Sequence, residues 1–327
     1  MRNWTANDIP DQAGRSFVVT GANSGLGYVM CLELARRGAH VIMTARDDAR
    51  GRAAVARIRA AVPSASLDLR HLDLADLDDV KVFAARLLAE NTPIDVLVNN
   101  AGIMMPPRSL TRQGFELQFG VNHLAHFALT GLLLERMKQG RDPRVVTISS
   151  DLHKRGSIHF DDLDGSKNYG RVAFYAQSKF ANALFALELH RRLQACGSPI
   201  RSLLAHPGYS ATNLQLNGPT GVLKLFMHIG NRFMAQGVEM GALNQLYAAT
   251  AAKAESGQFI GPDGKNELKG FPTVVLPVAA ARDANLATRL WLLSEELTGV
   301  RPDFSRVGGG DVATVADITG MKGAPAW

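Results

Sequence analysis

Cysteine is scarce in this chain, which has only Cys31 and Cys196 among its 327 residues. Two cysteines without metal-ligand spacing supply neither a disulfide framework nor a zinc site, so we expect no metal ion. Long hydrophobic runs are also missing, because the longest apolar stretch, near residues 127–134, is too short to cross a bilayer. The first 14 residues lack the hydrophobic region of a signal peptide. These absences predict a cytoplasmic protein without an integral membrane segment.

Acidic residues are in the minority, since 30 Asp and Glu stand against 36 Lys and Arg and leave a net charge of +6. Such a basic chain raises the question of a nucleic-acid partner. The basic side chains, however, are spread over helical segments such as 46–59, interleaved with acidic residues and alanines. No aromatic stacking platform accompanies them. The pattern favours a solvated surface, and we expect no nucleic-acid partner.

Helical and strand-like segments alternate along most of the chain. Helical periodicity at 48–61, 77–91, 112–138 and 173–197 is separated by apolar strand-like segments at 67–71, 95–98, 143–149 and 200–206. This alternation predicts an α/β fold, with a single Rossmann-type, doubly wound parallel sheet and helices on both faces. Ligands of such sheets bind beyond the carboxyl ends of the strands.

A glycine-rich turn follows the first predicted strand, at 16–20, and opens a helix that leads to a second strand ending near Thr44. This order is the context of a dinucleotide-binding fingerprint, in which glycines admit a pyrophosphate and the helix N-terminus supplies N–H groups. A turn without a ligand is the alternative. The pattern predicts cofactor contacts from Gly21, Asn23, Ser24, Gly25, Leu26 and Gly27.

Tyr175 and Lys179 are four residues apart in a helical segment, and Ser150 lies 25 residues before the tyrosine. Positions i and i+4 share one face of a helix. A free tyrosine has a pKa of about 10, and a nearby ammonium lowers that pKa towards neutral pH. A serine hydroxyl beside both groups could hold a carbonyl oxygen while a proton is exchanged. The trio predicts acid–base catalysis, although the tyrosine–lysine spacing alone arises easily by chance.

Further motifs follow in a fixed order and resemble those of the short-chain dehydrogenase/reductase family. They are the Thr-Gly-x-x-x-Gly-x-Gly turn at 20–27, Asp73-Leu74, Asn99-Asn100-Ala101-Gly102, Asn122, Ser150, Tyr175 with Lys179, His206-Pro207-Gly208 and Thr212. The resemblance covers roughly residues 14–215. The long segment between Ser150 and Tyr175 and the region FIGPDGKNELKG are similar to the retinol dehydrogenase and WW-domain oxidoreductase branch.

The resemblance implies a role for each matching residue. Tyr175 would give a proton to the substrate oxygen or take one from it, and Ser150 would hold that oxygen. Lys179 would lower the pKa of Tyr175 and bind the nicotinamide ribose, while Asn122 would order a water that links Lys179 to solvent. The implied cofactor contacts are Asp73, Leu74, Asn100, Ala101, Gly102, Tyr175, Lys179, Pro207, Gly208 and Thr212.

Arg46 at the end of the second predicted strand bears on which cofactor is used. NAD-specific members of the family usually carry an acid there, whereas an arginine can pair with the 2′-phosphate of NADP. We therefore favour NADP(H), with NAD(H) still open because Asp47 follows directly. The expected function is interconversion of an apolar alcohol and its aldehyde or ketone. Alternatives are reduction of a conjugated C=C bond, as in protochlorophyllide reductases, and a non-catalytic cofactor-sensing role.

The predicted organisation has three parts. An N-terminal extension at 1–14 precedes a catalytic domain at 15–300, and a C-terminal tail occupies 301–327. Within the domain, the resemblance implies an apolar substrate loop at about 209–240, where a core or dimer helix is the alternative. Family members are usually dimers or tetramers, so a homodimer or homotetramer is expected.

Overall fold

The computed structural model describes residues 3–208 and 237–309, and its centre is an eight-stranded sheet. Its spatial order is β3-β2-β1-β4-β5-β6-β7-β8, and all neighbouring strands are parallel except β7 and β8. The central strands are short runs of valine, isoleucine, leucine and phenylalanine because they are buried on both faces. The strands are β1 (Ser16–Val19), β2 (His40–Ala45), β3 (Ser66–His71), β4 (Val96–Asn99), β5 (Arg144–Ile148), β6 (Arg201–Ala205), β7 (Phe259–Pro262) and β8 (Pro272–Val275).

Helices cover both faces of the sheet. They are α1 (Gly25–Arg36), α2 (Asp48–Ala61), α3 (Leu77–Ala89), α4 (Ala125–Met137), α5 (Arg171–Ala195), α6 (Val238–Thr250) and α7 (Ala284–Thr298). One apolar cluster joins α1, α2 and α6 to one face. A second cluster joins α3, α4, α5 and α7 to the other face. No helix within the two described ranges is long and apolar enough to cross a membrane.

Packing extends beyond the central elements at both ends of the chain. Ile9 is buried, and the Trp4 ring contacts the Tyr247 ring on α6 edge to face, with the ring centres 5.2 Å apart. Phe304 and Val307 belong to the cluster around Trp291 on α7. Residues on both sides of the predicted boundaries at 14 and 300 therefore share the core.

The predicted fold class is confirmed, but several elements differ from the sequence prediction. The helix predicted from residue 112 was wrong at its start, because Thr111 closes a turn with Phe115 and helical structure begins at Leu117. A π-helical turn (Gly120–Leu124) then precedes α4. Strands β7 and β8 and helices α6 and α7 were not predicted, and β8 makes the sheet mixed rather than wholly parallel.

The topology determines where a ligand can bind. The strand β1 pairs with β2 on one side and with β4 on the other, so the connections after β1 and β4 diverge at this point. A crevice forms at such a switch point beyond the carboxyl ends of the strands. The glycine-rich turn after β1 and the Asn99–Gly102 segment after β4 meet in this crevice.

Candidate active site

The glycine-rich turn after β1 packs tightly against the segment that follows β4. Gly21 has a φ of +65°, and a Cβ added to it would lie 2.9 Å from the Cα of Ala101. A Cβ on Gly27 would lie 2.5 Å from Asn100 Nδ2 and from the Gly21 carbonyl oxygen. Only glycine therefore fits at these two positions. Ser24 precedes α1, and Gly25, Leu26 and Gly27 form its first turn, where free N–H groups suit a pyrophosphate.

A cleft beside this turn contains most of the residues predicted to bind the adenosine end of the cofactor. Arg46 is exposed at its rim, after β2, and Asp73 follows β3. Arg50, on the first turn of α2, also lines the cleft although no motif singled it out. The signal that could have found it is a second arginine four residues after Arg46. The cleft is lined by Gly21, Asn23, Thr44, Ala45, Arg46, Asp47, Arg50, Leu72, Asp73, Leu74, Ala101, Gly102, Ile103, Leu117 and Val121.

Asp47 interrupts the basic character of this rim, but its carboxylate is engaged locally. Asp47 Oδ1 accepts a hydrogen bond from the Arg50 N–H at 3.0 Å and thereby caps the N-terminus of α2. Its other oxygen lies 3.4 Å from Arg50 Nε. The hydrogen bond from the Arg50 backbone is the main reason why the pKa of Asp47 is lowered. The Asp47 carboxylate thus caps α2, although Asp47 lines the cleft together with Arg46.

Asn122 stands in the π-helical turn and holds the segment after β4. Its Oδ1 accepts a hydrogen bond from the Ile103 N–H at 2.8 Å, and its Nδ2 donates to the Ile103 carbonyl at 3.0 Å and to Ser178 Oγ at 2.9 Å. π-Turns inside helices occur frequently at functional sites. A Cβ on Gly102 would lie 3.3 Å from Asn122 Oδ1 and 3.5 Å from Lys179 Nζ. Asn122, Gly102 and Lys179 therefore meet.

The side chain of Ser150 interacts with the phenol of Tyr175. Ser150 follows β5, and its hydroxyl accepts a hydrogen bond from the Leu152 N–H at 3.3 Å. Tyr175 lies on the second turn of α5 and is 5% exposed. Its ring packs with Met104, Met105 and Leu152 in a small apolar cluster. The immediate surroundings of the Tyr175 ring are therefore apolar.

Burial changes the acidity of the two central groups in opposite directions. It raises the pKa of Tyr175 to about 12, and the Ser150 hydroxyl opposes part of that rise. It lowers the pKa of Lys179 to about 8, and Lys179 Nζ donates to the Ile148 carbonyl at 3.1 Å. The expected effect of Lys179 on the pKa of Tyr175 stays a prediction. Lys179 Nζ lies 5.8 Å from the centre of the Tyr175 ring, and the cost of burying a phenolate dominates.

The segment after β6 is held from the β7–β8 hairpin. His206 is buried, and its Nε2 pairs with Glu267 Oε2 at 3.1 Å. Gly208 has a φ of +65°, and a Cβ there would lie 2.5 Å from the Leu268 carbonyl oxygen. Pro207 and Gly208 are thus fixed at the carboxyl edge of the sheet. Thr212 and residues 209–236 of the predicted substrate loop lie outside the described residues.

The described residues fit a nicotinamide dinucleotide. Gly21, Gly27 and Gly102 let the turn after β1, the segment after β4 and the side chains of Asn122 and Lys179 approach one another closely at the crevice, which has α1 at one end and Lys179 at the other. Within residues 3–208 and 237–309, no group of three or more His, Cys, Asp or Glu side chains could hold a metal ion. The roles assigned to individual residues of the site stay predictions.

Comparisons with known proteins identify the family of this chain. The family model "short chain dehydrogenase" matches residues 15–220. Human retinol dehydrogenase 14 is 40% identical, over 88% of this chain and 87% of its own length. Mouse polyprenol dehydrogenase is 39% identical over 94% and 89% of the two chains. A solved structure of an uncharacterised protein from Mycobacterium paratuberculosis is 44% identical, with a TM-score of 0.77 over 92% of this chain and all of its own. The chain belongs to the short chain dehydrogenase family and is an oxidoreductase.

Proposed function

We propose that this protein is an NADP-dependent oxidoreductase that interconverts an apolar alcohol and its aldehyde or ketone, with Tyr175 as the general acid or base. The observation that carries the proposal is the meeting of the Ser150 hydroxyl with the buried Tyr175 phenol, one helical turn from Lys179. Both hydroxyls lie at the carboxyl edge of the sheet, beside the glycine-lined crevice. A carbonyl oxygen between them would receive two hydrogen bonds.

Each side chain contributes a separate step. When bound, the nicotinamide would supply or take the hydride at the carbonyl carbon. Ser150 holds the substrate oxygen, and Tyr175 delivers a proton to it or removes one from it. Lys179, on the same face of α5 as Tyr175, would hold the nicotinamide ribose with its ammonium group. Asn122 keeps the loop that ends in Ile103 in place, so that Gly102 stays close to Lys179.

The charge at the adenosine end supports NADP over NAD. Arg46 and Arg50 both line the cleft, and the carboxylate of Asp47 between them is engaged at the N-terminus of α2. A 2′-phosphate at this rim would pair with guanidinium groups, which bind phosphate through two parallel N–H donors. A bare 2′-hydroxyl would leave both arginines without that partner.

The apolar surroundings of Tyr175 support a greasy substrate. Met104, Met105 and Leu152 pack around its ring, and methionine adapts to irregular apolar shapes. Two relatives are named as dehydrogenases of retinol and of polyprenol, which are long isoprenoid alcohols. We infer that the substrate of this chain also presents a hydroxyl or carbonyl group on an apolar body.

The test is the loss of nicotinamide absorbance with NADPH or NADH and a panel of apolar aldehydes, ketones and conjugated alkenes. We expect carbonyl reduction with a preference for NADPH. Turnover should fall by about 10²-fold or more in Tyr175→Phe, the scale of general acid–base catalysis. Tyr247→Phe is the matched control, because this tyrosine packs against Trp4, away from the site. Equal use of NADH, or turnover of alkenes only, would overturn the proposal.

A further inference from the structure

A buried chain of hydrogen bonds connects the end of β1 to the π-helical turn. Thr20 and His126 are 0% and 1% exposed. Thr20 Oγ1 lies 2.9 Å from His126 Nε2, and His126 Nδ1 lies 3.0 Å from the main-chain carbonyl oxygen of Asn122. The two side chains are 106 residues apart in sequence. The family resemblance assigns no role to His126.

The chemistry of the partners determines which atom carries each hydrogen. A carbonyl oxygen can only accept, so the His126 ring must carry its hydrogen on Nδ1. In a neutral ring Nε2 is then an acceptor, and the Thr20 hydroxyl donates to it. The Thr20 oxygen in turn accepts the N–H groups of Asn100 and Ala101, both at 2.9 Å. The Val98 carbonyl, at 3.3 Å, is the more distant acceptor for the hydroxyl.

This chain closes into a ring of contacts around Gly102. The Asn122 side chain holds Ile103 by two hydrogen bonds, at 2.8 and 3.0 Å. The ring therefore runs from Thr20 through the Asn100–Ile103 backbone to Asn122, and back to Thr20 through His126. Burial lowers the pKa of His126 to about 4, and the charge of Lys179 has a smaller effect in the same direction. The His126 imidazole is therefore neutral at physiological pH.

We propose that His126 is a positioning residue, which fixes the Asn122 main chain and the Asn100–Gly102 segment relative to each other and so shapes the nicotinamide end of the crevice. The proposal rests on the proposed function only for the identity of the cofactor. The competing explanation is a buried histidine that contributes to stability and to nothing else.

The first test is the tautomer of His126 in the protein without cofactor. Nitrogen NMR of ¹⁵N-histidine-labelled protein distinguishes a hydrogen on Nδ1 from one on Nε2. The His126 signal is the one that disappears in His126→Phe or moves in Thr20→Val. We expect the Nδ1–H tautomer, with no protonation above pH 6. The Nε2–H tautomer would overturn the proposal, and this result does not depend on turnover.

The second test is a double-mutant cycle of Thr20→Val and His126→Phe, read by NADPH fluorescence titration without substrate. Each single variant should weaken NADPH binding about tenfold. The double variant should have the same NADPH affinity as the single variant that binds NADPH less tightly. His190→Phe is the control, because His190 is also buried and bonded to a hydroxyl, Ser256 Oγ at 2.8 Å. Additive losses, or a loss of thermal stability with unchanged NADPH affinity, would refute a positioning role. A wild type that binds no nicotinamide nucleotide would refute the proposed function, while the tautomer would still decide the role of His126.

Discussion

Replacing Lys179 by methionine is expected to stabilise the protein in the absence of cofactor while it removes activity. The Lys179 side chain is buried, and burial lowers its pKa from 10.5 to about 8. At about 1.4 kcal/mol for each tenfold change in an ionisation constant, holding this charge at pH 7 costs roughly 3 kcal/mol. Methionine has a similar length and no charge to bury. The charge of Lys179, which the proposed reaction uses, would thus lower the free energy of unfolding.

The substitution also removes one hydrogen bond. The bond from Lys179 Nζ to the Ile148 carbonyl at 3.1 Å is worth about 1 kcal/mol. The carbonyl keeps a second donor, Asn182 Nδ2 at 3.0 Å, and is not left unpaired. The net gain for Lys179→Met is therefore about 2 kcal/mol. A chain of this size gains about 2 °C in Tm per kcal/mol, so Tm should rise by roughly 4 °C at pH 7.

The pH dependence separates the charge from the packing. The unfolded chain binds the Lys179 proton up to about pH 10.5, whereas the folded protein releases it from about pH 8. The destabilisation of the wild type is therefore complete below pH 8 and disappears as the pH approaches 10.5. Scanning fluorimetry gives the Tm difference between Lys179→Met and the wild type at pH 7, where burial of the charge is costly, and at pH 10, where most of that cost has gone. The exposed Lys253→Met is the control. A less stable variant at pH 7, or an equal gain at both pH values, would refute the reasoning.

Two further predictions concern charged side chains at the edges of the site. Arg46→Ser and Arg50→Ser should each weaken NADPH binding about tenfold and leave NADH binding unchanged in fluorescence titrations; a parallel loss for both nucleotides would contradict a phosphate contact. Glu267→Gln should lower Tm by a few degrees, because Glu267 joins His206 to Lys154 at 3.1 and 3.2 Å. His206, and then Lys154, lowers the pKa of Glu267 to about 2, so this difference should be present above pH 4.5 and shrink as the pH falls towards 2 in thermal unfolding. A difference that persists at pH 2 would show that the carboxylate charge is not its cause.

Local sequence signals were sufficient for the elements that build the crevice. The apolar runs of β1 and β4 and the glycines of the turn each need only their own neighbours in sequence, and the periodic helices α2, α3 and α5 are long. Strands β7 and β8 have four residues each, and β7 ends in glycine and proline, which rarely occur inside strands. The π-turn at Gly120–Leu124 has a sequence compatible with an ordinary helix. The main-chain hydrogen bond from the Ala125 N–H to the Gly120 carbonyl, five residues back, is visible only in the structure.

The same distinction applies to the site. Tyr175 and Lys179 could be found because a four-residue spacing follows helical geometry, and Ser150 because the ordered motifs resemble those of the family. The link from Thr20 to His126 joins positions far apart in sequence and leaves no local pattern. The acidity of Tyr175 depends on burial and on the distance to Lys179 Nζ, and neither quantity is encoded in the four-residue spacing.

The opposite effects of burial on Tyr175 and Lys179 bear on the direction of the proposed reaction. With a pKa of about 12, Tyr175 holds its proton at neutral pH, and with a pKa of about 8, Lys179 is largely charged there. A neutral phenol is the form that can donate to a carbonyl oxygen, whereas oxidation of an alcohol needs the phenolate. Burial therefore favours the neutral phenol, which is the form that reduction by the proposed mechanism requires. Oxidation would first have to overcome the cost of burying a phenolate, a cost that falls as a positive charge approaches the tyrosine oxygen.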